Sequence, residues 1–595
     1  PICGPQLRLI DTKGSLIDCN DPVVAAAKMI KEGKIVAVKG LGGFHLAVDA
    51  HNANAVFRLR QRKAREAKPL AVMTTNAASA RLWGDFNNIE IELLNSPARP
   101  IVLARKTERC RNAFIHVADD LNEIGLMTAY TPVHLLLFHA LAGLPSDPRW
   151  LDAASEDALV MTSANPSGEP LVIHTKEACE RLNGIADAIL THDREIVCRC
   201  DDSVVRVVDG AARLVRRARG YTPLAVKTHC DMTGIAATGA SLKATAALGR
   251  GQEVFVTAHI GDTKNVASCN ALKDALLHFE DILETHPTQA VACDLHPDFY
   301  ASRLAREIAA ERKIALFEVQ HHHAHTMAVA FEYGLEGDVY GLSLDGVGLG
   351  TDGRAWGCEA LFCRSNGTFE RLGHLQNLPL PGGDAAAREP WRMAVAAALT
   401  AECRRAAIAL WPQRPVAAML SLASNPRLTS TTSSAGRLFD AVSAIAGLCD
   451  EQSDEAQAAM LLEAAGGDFA DASYEEDDFV VTQESGLNVL QVSALLQRLF
   501  AMRLEGRTPQ AISVRFHAAF SAGMAKLAAE CFPAGATVCL SGGTFLNRFV
   551  AADLSRRLRQ MGYRTYLPSL LPPGDGAISF GQCAVARQRL DAATH

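Results

Sequence analysis

Residues 23–33 place Val24, Ala27 and Ile30 at helical spacing with Lys31 and Glu32 polar, which predicts an amphipathic helix ended by Gly33. Ile35–Val38 then reads as a short buried strand, followed by the turn Gly40-Leu-Gly-Gly43. A charged helix is expected over 52–66, carrying Arg58, Arg60, Arg62, Lys63 and Arg65. Short apolar runs at Pro69–Met73, Pro100–Ala104, Ala158–Thr162 and Val204–Val208 predict further strands, and the mixture argues for one α/β domain over 15–222. Tyr221–Thr233, with Pro223, is the expected linker region, taken as 223–232. The pattern then restarts. Ile235–Gly239, Thr245–Gly249 and Val254–Ala258 predict an antiparallel meander, ahead of a helix over 266–284 and a strand at Ala290–Asp294. A similar series begins at Val339, so 233–595 is expected to be a duplicated, two-lobed fold with a nucleotide in the cleft.

Composition narrows the class. A chain of 595 residues is too long for one core, and 48% hydrophobic with 21% charged residues is ordinary for globular domains. A formal net charge of −7 argues against a nucleic-acid partner but leaves small anions open. The 16 cysteines include no C-x-x-C pair, and only Cys198 and Cys200 are closely spaced. A reducing cytoplasm therefore fits better than a disulfide framework. The longest apolar stretch, Val133–Leu144, is too short to span a bilayer, and no signal peptide is recognisable. The opening Pro-Ile-Cys-Gly-Pro, without methionine, reads as a fragment whose upstream part was removed.

Three basic groups carry candidate chemistry in the first half: Lys63-Ala-Arg65 with Lys68, Arg194 with Arg199, and Arg216, Arg217 and Arg219. Between them lies Thr162-Ser-Ala-Asn-Pro-Ser-Gly168 at a strand's C-terminal end, where α/β sheets place ligands. Fixed cations, hydroxyl and amide donors, and glycine are what phosphate needs. Any one run alone reads more readily as a solvated helix face. In the second half, His321-His-His-Ala-His325 puts His321 and His325 at i and i+4, able to share a metal if a helix begins there. The competing reading is a helix cap with exposed histidines. Asp575, in Pro572-Pro-Gly-Asp-Gly576, is the candidate distant ligand. Gly239–Lys243, Asp345–Gly350 and Ser541–Asn547 are glycine-rich turns able to bind phosphate through backbone amides, although hairpins use the same residues.

Lys63-x-Arg65 with Ser163-x-Asn165 resembles the signature of the YrdC family, which makes carbamoyl-type adenylates from ATP. Lys39–His45, Lys68–Met73, Tyr130-Thr-Pro132, Asp201–Val204 and Arg216–Gly220 resemble more closely the YrdC-like domain of the HypF family, carbamoyltransferases of NiFe-hydrogenase maturation. The second half resembles the threonylcarbamoyltransferase-like, actin/hexokinase-like (ASKHA) domain of that family through His321-x-x-x-His325, Asp294–Pro297, Pro381-Gly-Gly383, Gly436–Asp440 and Arg515-Phe-His517. The resemblance implies ATP with Mg2+, carbamoyl phosphate or carbamate, and the HypE protein as acceptor of the carbamoyl group. It further implies that Lys63, Arg65, Ser163 and Asn165 act on the phosphates and acyl group, with Lys39, Lys68, Thr162, Arg194, Arg199, Arg216 and Arg219 as binding positions. His321, His325 and Asp575 would hold a divalent metal (Fe, Zn or Mg). Lys243, Asp345, Gly382, Gly383, Asp440, Gly542, Gly543 and Asn547 would serve the nucleotide there.

Members of that family begin with an acylphosphatase-like domain and zinc fingers, so residues 1–14, with Cys3, are expected to be the tail of a finger region. The catalyst for hydrolysing carbamoyl phosphate to carbamate is then not visible here. A tRNA threonylcarbamoyladenosine enzyme, which also combines both domain types, would call for a basic surface. A non-catalytic nucleotide switch would not need Lys63-x-Arg65, Ser163-x-Asn165 or the histidine pair.

Overall fold

The computed structural model describes residues 4–166, 168–469 and 472–594, which leaves Cys3 outside the described residues. The chain divides into two compact units. The first comprises Pro1–Leu224, Leu242–Ala244 and Thr257–Leu277, and the second Ala225–Ser241, Thr245–Val256 and His278–His595. Two short stretches of the first unit thus lie beyond the boundary expected near residue 222.

The first unit is built on one 11-stranded mixed sheet. Val36–Lys39 turns through Gly40–Gly43 into Phe44–Asp49, which pairs antiparallel with Ala158–Ser163, and that strand pairs with Ala71–Thr74. Apolar side chains fill both faces: Ile35, Phe44, Leu46 and Trp83 on one, Ile30, Val36, Met127 and Phe138 on the other. The first helix, Pro22–Lys31, is started by Asp21, whose carboxylate accepts the Val23 and Val24 N–H groups. Its buried stripe is Val23, Ala26, Ala27 and Ile30, while Val24, expected inside, is exposed. The charged helix ends at Lys63 rather than 66, because Ala64 turns left-handed at φ 48°. Arg65 thereby leaves the helix and enters the loop facing Thr162. Leu7–Ile10 pairs with Ala188–His192, so part of the stretch expected to be a finger remnant is an edge strand of this sheet.

The second unit repeats one plan twice. Ile235–Ala237, Ala247–Arg250 and Glu253–Val256 form the antiparallel meander, and Ala290–Asp294 and Ala315–Val319 add parallel strands beside Ile235–Ala237. In the second sheet Val339–Leu349, Ala355–Cys363 and Phe369–Leu375 are the meander, with Thr537–Ser541 and Arg564–Tyr566 the parallel additions. This is the two-lobed α/β duplication expected from the pattern. Val226–Lys227, inside the expected linker, is instead a strand paired with Glu253–Val256. The helix His321–Glu332 packs against Ile578–Thr594 in a core with Met327, Phe331 and Phe580. The approach is close enough that a Cβ at Gly581 would lie 1.9 Å from the Ala324 carbonyl oxygen. Among the described residues no helix is long and apolar enough to cross a membrane.

Candidate functional sites

In the first unit the four signature residues meet. The Lys63 ammonium, on the last helical turn, donates to the Ser163 carbonyl, to Ser163 Oγ at 3.3 Å, to Asn165 Oδ1 at 3.2 Å and to Thr162 Oγ1 at 3.4 Å. Arg65 Nη1 donates to the same Thr162 hydroxyl at 3.2 Å, and Ser163 Oγ to Asn165 Oδ1 at 2.8 Å. Lys63 is buried, and its hydrogen-bond partners are neutral oxygens. Burial, then the Arg65 cation, with Lys68 and Arg216 adding to it, push its pKa well below the usual lysine range against the pull of Asp201. A buried cation among cations and neutral donors is the electrostatic shape of an anion site.

The other expected cations divide. Arg216 Nη1 pairs with Asp201 at 2.7 Å beside this cluster. Arg219 does not join it: its guanidinium is buried against Asp202 at 2.9 Å and donates to the Ala98 and Arg99 carbonyls at 2.7 and 3.0 Å. Its face covers the Tyr130 ring at 3.5 Å, and Asp202 also holds His45 at 2.9 Å. Lys39 is likewise buried, donating to the His192 and Arg194 carbonyls at 3.0 and 2.7 Å. Arg199 donates to the Leu171 carbonyl at 3.0 Å. Lys39, Arg199 and Arg219, expected at the ligand, thus also hold loops and strands together.

In the second unit, none of the four clustered histidines is exposed, so the reading as an exposed cap fails: His321, His322, His323 and His325 are 3%, 0%, 0% and 1% accessible. Gln320 caps the helix, its side chain accepting the His323 N–H. His321 Nε2 stands 3.4 Å from Asp345 Oδ2 and 3.8 Å from Asp575 Oδ1, and His325 Nε2 3.7 and 3.8 Å from the same atoms. Neither Nε2 atom makes a hydrogen bond across those gaps, and both are buried without a partner. Donor atoms of all four residues lie within 4.8 Å of one another, which suits a cation between them. His321 Nδ1–H donates to Asp294 at 2.7 Å, fixing the ring so that Nε2 faces the cluster. Burial works against a charge on His321, yet Asp294, Asp345 and Asp575 together raise its pKa well above the ordinary value.

Asp345, expected on the phosphate side, also stands as a fourth member of the group able to hold a cation. The glycine turns gather round it. The Gly543 N–H donates to Asp345 Oδ1 at 2.8 Å, and Gly542 at φ 96° passes so close to Leu344 that a Cβ would meet its carbonyl oxygen at 2.3 Å. The Gly542 N–H reaches the Pro573 carbonyl at 2.8 Å, tying this turn to the loop of Asp575. Ser434, at the start of the helix carrying Asp440, donates to the Gly346 carbonyl. Gly382 and Gly383 form a separate positive-φ turn ahead of Asp384–Arg388.

Two residues expected at the nucleotide make contacts within the fold. Asn547 caps the helix Arg548–Gln560 and donates to His517 Nε2 at 2.9 Å, so its amide is engaged within the fold. Lys243 belongs to the first unit, its N–H donating to Asp262 at 3.1 Å. Asp440 is buried 2.8 Å from Arg437, and burial lifts its carboxyl to about 6.

Known proteins carry the same two parts. Residues 28–218 match the model described as Telomere recombination, of the Sua5/YciO/YrdC type. Residues 231–332 match the HypF Kae1-like domain, and 341–582 the carbamoyltransferase Kae1-like domain, second subdomain. The carbamoyltransferase HypF2 of Cupriavidus necator is 45% identical over 98% of this chain and 75% of its own length. Carbamoyltransferase HypF of Rhizobium leguminosarum bv. viciae is 42% identical over 95% of the chain and 72% of its own. The solved full-length HypF in its phosphate- and nucleotide-bound form superposes with a TM-score of 0.88 at 34% identity, covering 99% of this chain and 75% of that one. The chain belongs to the HypF carbamoyltransferase family. In this HypF chain the YrdC-like part carries the Lys63 cluster and the Kae1-like part the histidine cluster. Sequence reasoning missed Asp345 and Asp294 as parts of the latter. The available signal was that a carboxylate at a strand end before glycines serves a cation as readily as it orders a phosphate turn.

Proposed function

We propose that this HypF chain makes carbamoyl-AMP from ATP and carbamate, the hydrolysis product of carbamoyl phosphate, at the Lys63 cluster. It then transfers the carbamoyl group to the C-terminal cysteine of HypE, toward the cyanide ligand of NiFe-hydrogenases. A carbamate oxygen attacks the α-phosphorus, the bond to the bridging oxygen breaks, and pyrophosphate leaves. Lys63 and Arg65 stabilise the charge that builds on the phosphates, while Ser163 and Asn165 orient the acyl group. The cysteine thiolate later attacks the carbamoyl carbon and AMP departs. His321, His325, Asp345 and Asp575 would hold the divalent ion of the Kae1-like part, which supplies Lewis acidity toward a bound nucleotide or acyl oxygen.

The observation that carries the reading is the buried Lys63 ammonium resting on neutral Thr162, Ser163 and Asn165 oxygens. The nucleotide- and phosphate-bound HypF of the same fold supports a nucleotide substrate. Carbamate-dependent ATP–pyrophosphate exchange tests it. Lys63→Ala should lower the exchange rate by 10²-fold or more, roughly 2.7–4 kcal/mol of transition-state stabilisation, with the melting curve retained. Wild-type exchange in that variant would overturn the assignment.

A further inference from the structure

Beside the Lys63 cluster a second polar group is buried on the same sheet. His45 and Ser163 stand directly opposite each other in the antiparallel pair of Phe44–Asp49 with Ala158–Ser163. Side chains so placed share one face of the sheet, with Cβ atoms roughly 4.5–5.5 Å apart. The His45 ring therefore flanks Ser163, whose hydroxyl meets Asn165 and Lys63. Because the Asp202 carboxylate can only accept, His45 Nε2 carries the proton of their 2.9 Å hydrogen bond. Asp202 is itself held by Arg219 Nε at 2.9 Å. Tyr130 and His134 stand edge-on to the His45 ring, with centroids 6.5 and 6.1 Å away. With the proton on Nε2, the neutral ring carries its lone pair on Nδ1. That Nδ1 is buried and has no hydrogen-bond partner among the described residues, in a side chain belonging to a residue only 4% accessible. An unpaired buried acceptor costs free energy, so each one in a native structure calls for an explanation. Gly40 keeps the space in front of it clear. A Cβ there would press on His45 Nδ1 at 3.2 Å and on the Gly43 carbonyl oxygen at 3.1 Å, and Gly40 is not among the glycines with positive φ.

We propose that His45, oriented by Asp202, determines which acid the adenylation site takes: its Nδ1 accepts an N–H of carbamate and so selects an acid that bears an amino group. The proposal rests on reading the Lys63 cluster as the adenylating site, and deepens it. On that reading Ser163 and Asn165 orient the acyl group, so an acceptor beside Ser163 meets the amino end of carbamate while a carboxylate oxygen faces phosphorus. Acetate has nearly the same shape, with a methyl group where carbamate has its amino group, and it leaves Nδ1 unpaired when bound. A site that pairs with a substrate N–H rejects the analogue lacking it more strongly than an apolar pocket can, because the buried acceptor is then stranded. His45 moves no proton in this scheme. The bond formed joins a carbamate oxygen to the α-phosphorus, pyrophosphate leaves with the electron pair of the broken bond, and both amino protons stay on nitrogen.

ATP–pyrophosphate exchange by the full chain, with freshly dissolved ammonium carbamate varied at pH 8, tests this. His45→Gln keeps a donor for Asp202, since its amide nitrogen reaches the place of Nε2, but offers no acceptor where Nδ1 stood. His45→Asn does the reverse, its amide oxygen standing near the place of Nδ1. In His45→Gln the kcat/KM for carbamate should fall roughly five- to hundred-fold, the range for losing the partner of one buried group. The KM for ATP and the melting point should change little. His45→Asn should recover a few-fold of that loss even though its melting point falls. Acetate, added as a competitor of carbamate, should inhibit His45→Gln at least as well as wild type, because it never used Nδ1. A wild-type kcat/KM for carbamate in His45→Gln, with exchange abolished in Lys63→Ala, would overturn this inference and leave the Lys63 reading standing. The opposite order, His45→Asn more impaired than His45→Gln, would overturn it too, as the mark of a ring kept only for its bond to Asp202. So would a loss shared equally by carbamate, ATP and acetate, which signals a distorted fold. Exchange that survives in Lys63→Ala would instead remove the reading on which the inference rests.

Discussion

Asp294 touches no substrate and sits outside the four-residue cluster, yet replacing it by asparagine should weaken metal binding measurably. Its carboxylate is 1% accessible and accepts the His321 Nδ1–H at 2.7 Å, a short charge-assisted bond in a dry surrounding. Asparagine keeps the size but only one acceptor oxygen, so with the His296 N–H still on Oδ1 its NH2 replaces the oxygen that accepts the His321 Nδ1–H. What is lost is the negative charge that raises the basicity of His321 Nε2 and holds the ring toward Asp345 and Asp575. Outer contacts of this kind typically carry ten- to hundred-fold in metal affinity, or about 1.4–2.7 kcal/mol at 1.4 kcal/mol per tenfold. Competitive titration of the purified chain with Fe2+ and with Zn2+ reads the change directly, and circular dichroism reports the fold. Affinity within twofold of wild type for both ions, in a folded Asp294→Asn protein, would refute the argument that Asp294 orients and charges the ligand.

Two further outcomes are expected. His325→Ala should lose bound metal by elemental analysis and lose carbamoylation of the acceptor thiol, while pyrophosphate exchange persists. Exchange collapsing together with transfer in a folded protein would end the division of labour between the two sites. Arg219→Ala should act on stability, because it leaves Asp202 without its guanidinium and the Ala98 and Arg99 carbonyls without donors. Breaking a buried pair of this kind costs about 3–5 kcal/mol, a fall of roughly 6–20 °C in Tm at about 2–4 °C per kcal/mol. A melting point unchanged within 2 °C, with a raised KM for ATP, would return Arg219 to the ligand-binding set.

Much of both sites was legible because their signals are local. Lys63 and Arg65 straddle a helix end, Ser163 and Asn165 a strand end, and His321 and His325 one helical turn, so short spacing alone brings each pair onto one side. The meander-then-parallel plan was visible twice because each strand is a short apolar run bounded by turns. Less legible were strands such as Ala211–Arg216, where apolar and basic positions mix, and Leu7–Ile10, which is stable only through its partner Ala188–His192.

The sequence by itself determined the two kinds of domain, the cationic signature, the histidine pair and the glycine turns. Each depends on residues a few positions apart, and backbone periodicity converts such spacing into geometry. Only the tertiary structure decided that Asp345 joins the histidines, that Arg219 and Lys39 brace the fold, and that Lys243 belongs with the first unit. The same charged side chain can meet a carbonyl, a carboxylate or a ligand, and which it meets depends on what distant chain segments bury beside it. Burial partners of that range are set by how sheets and helices pack, and nothing in the local spacing encodes them.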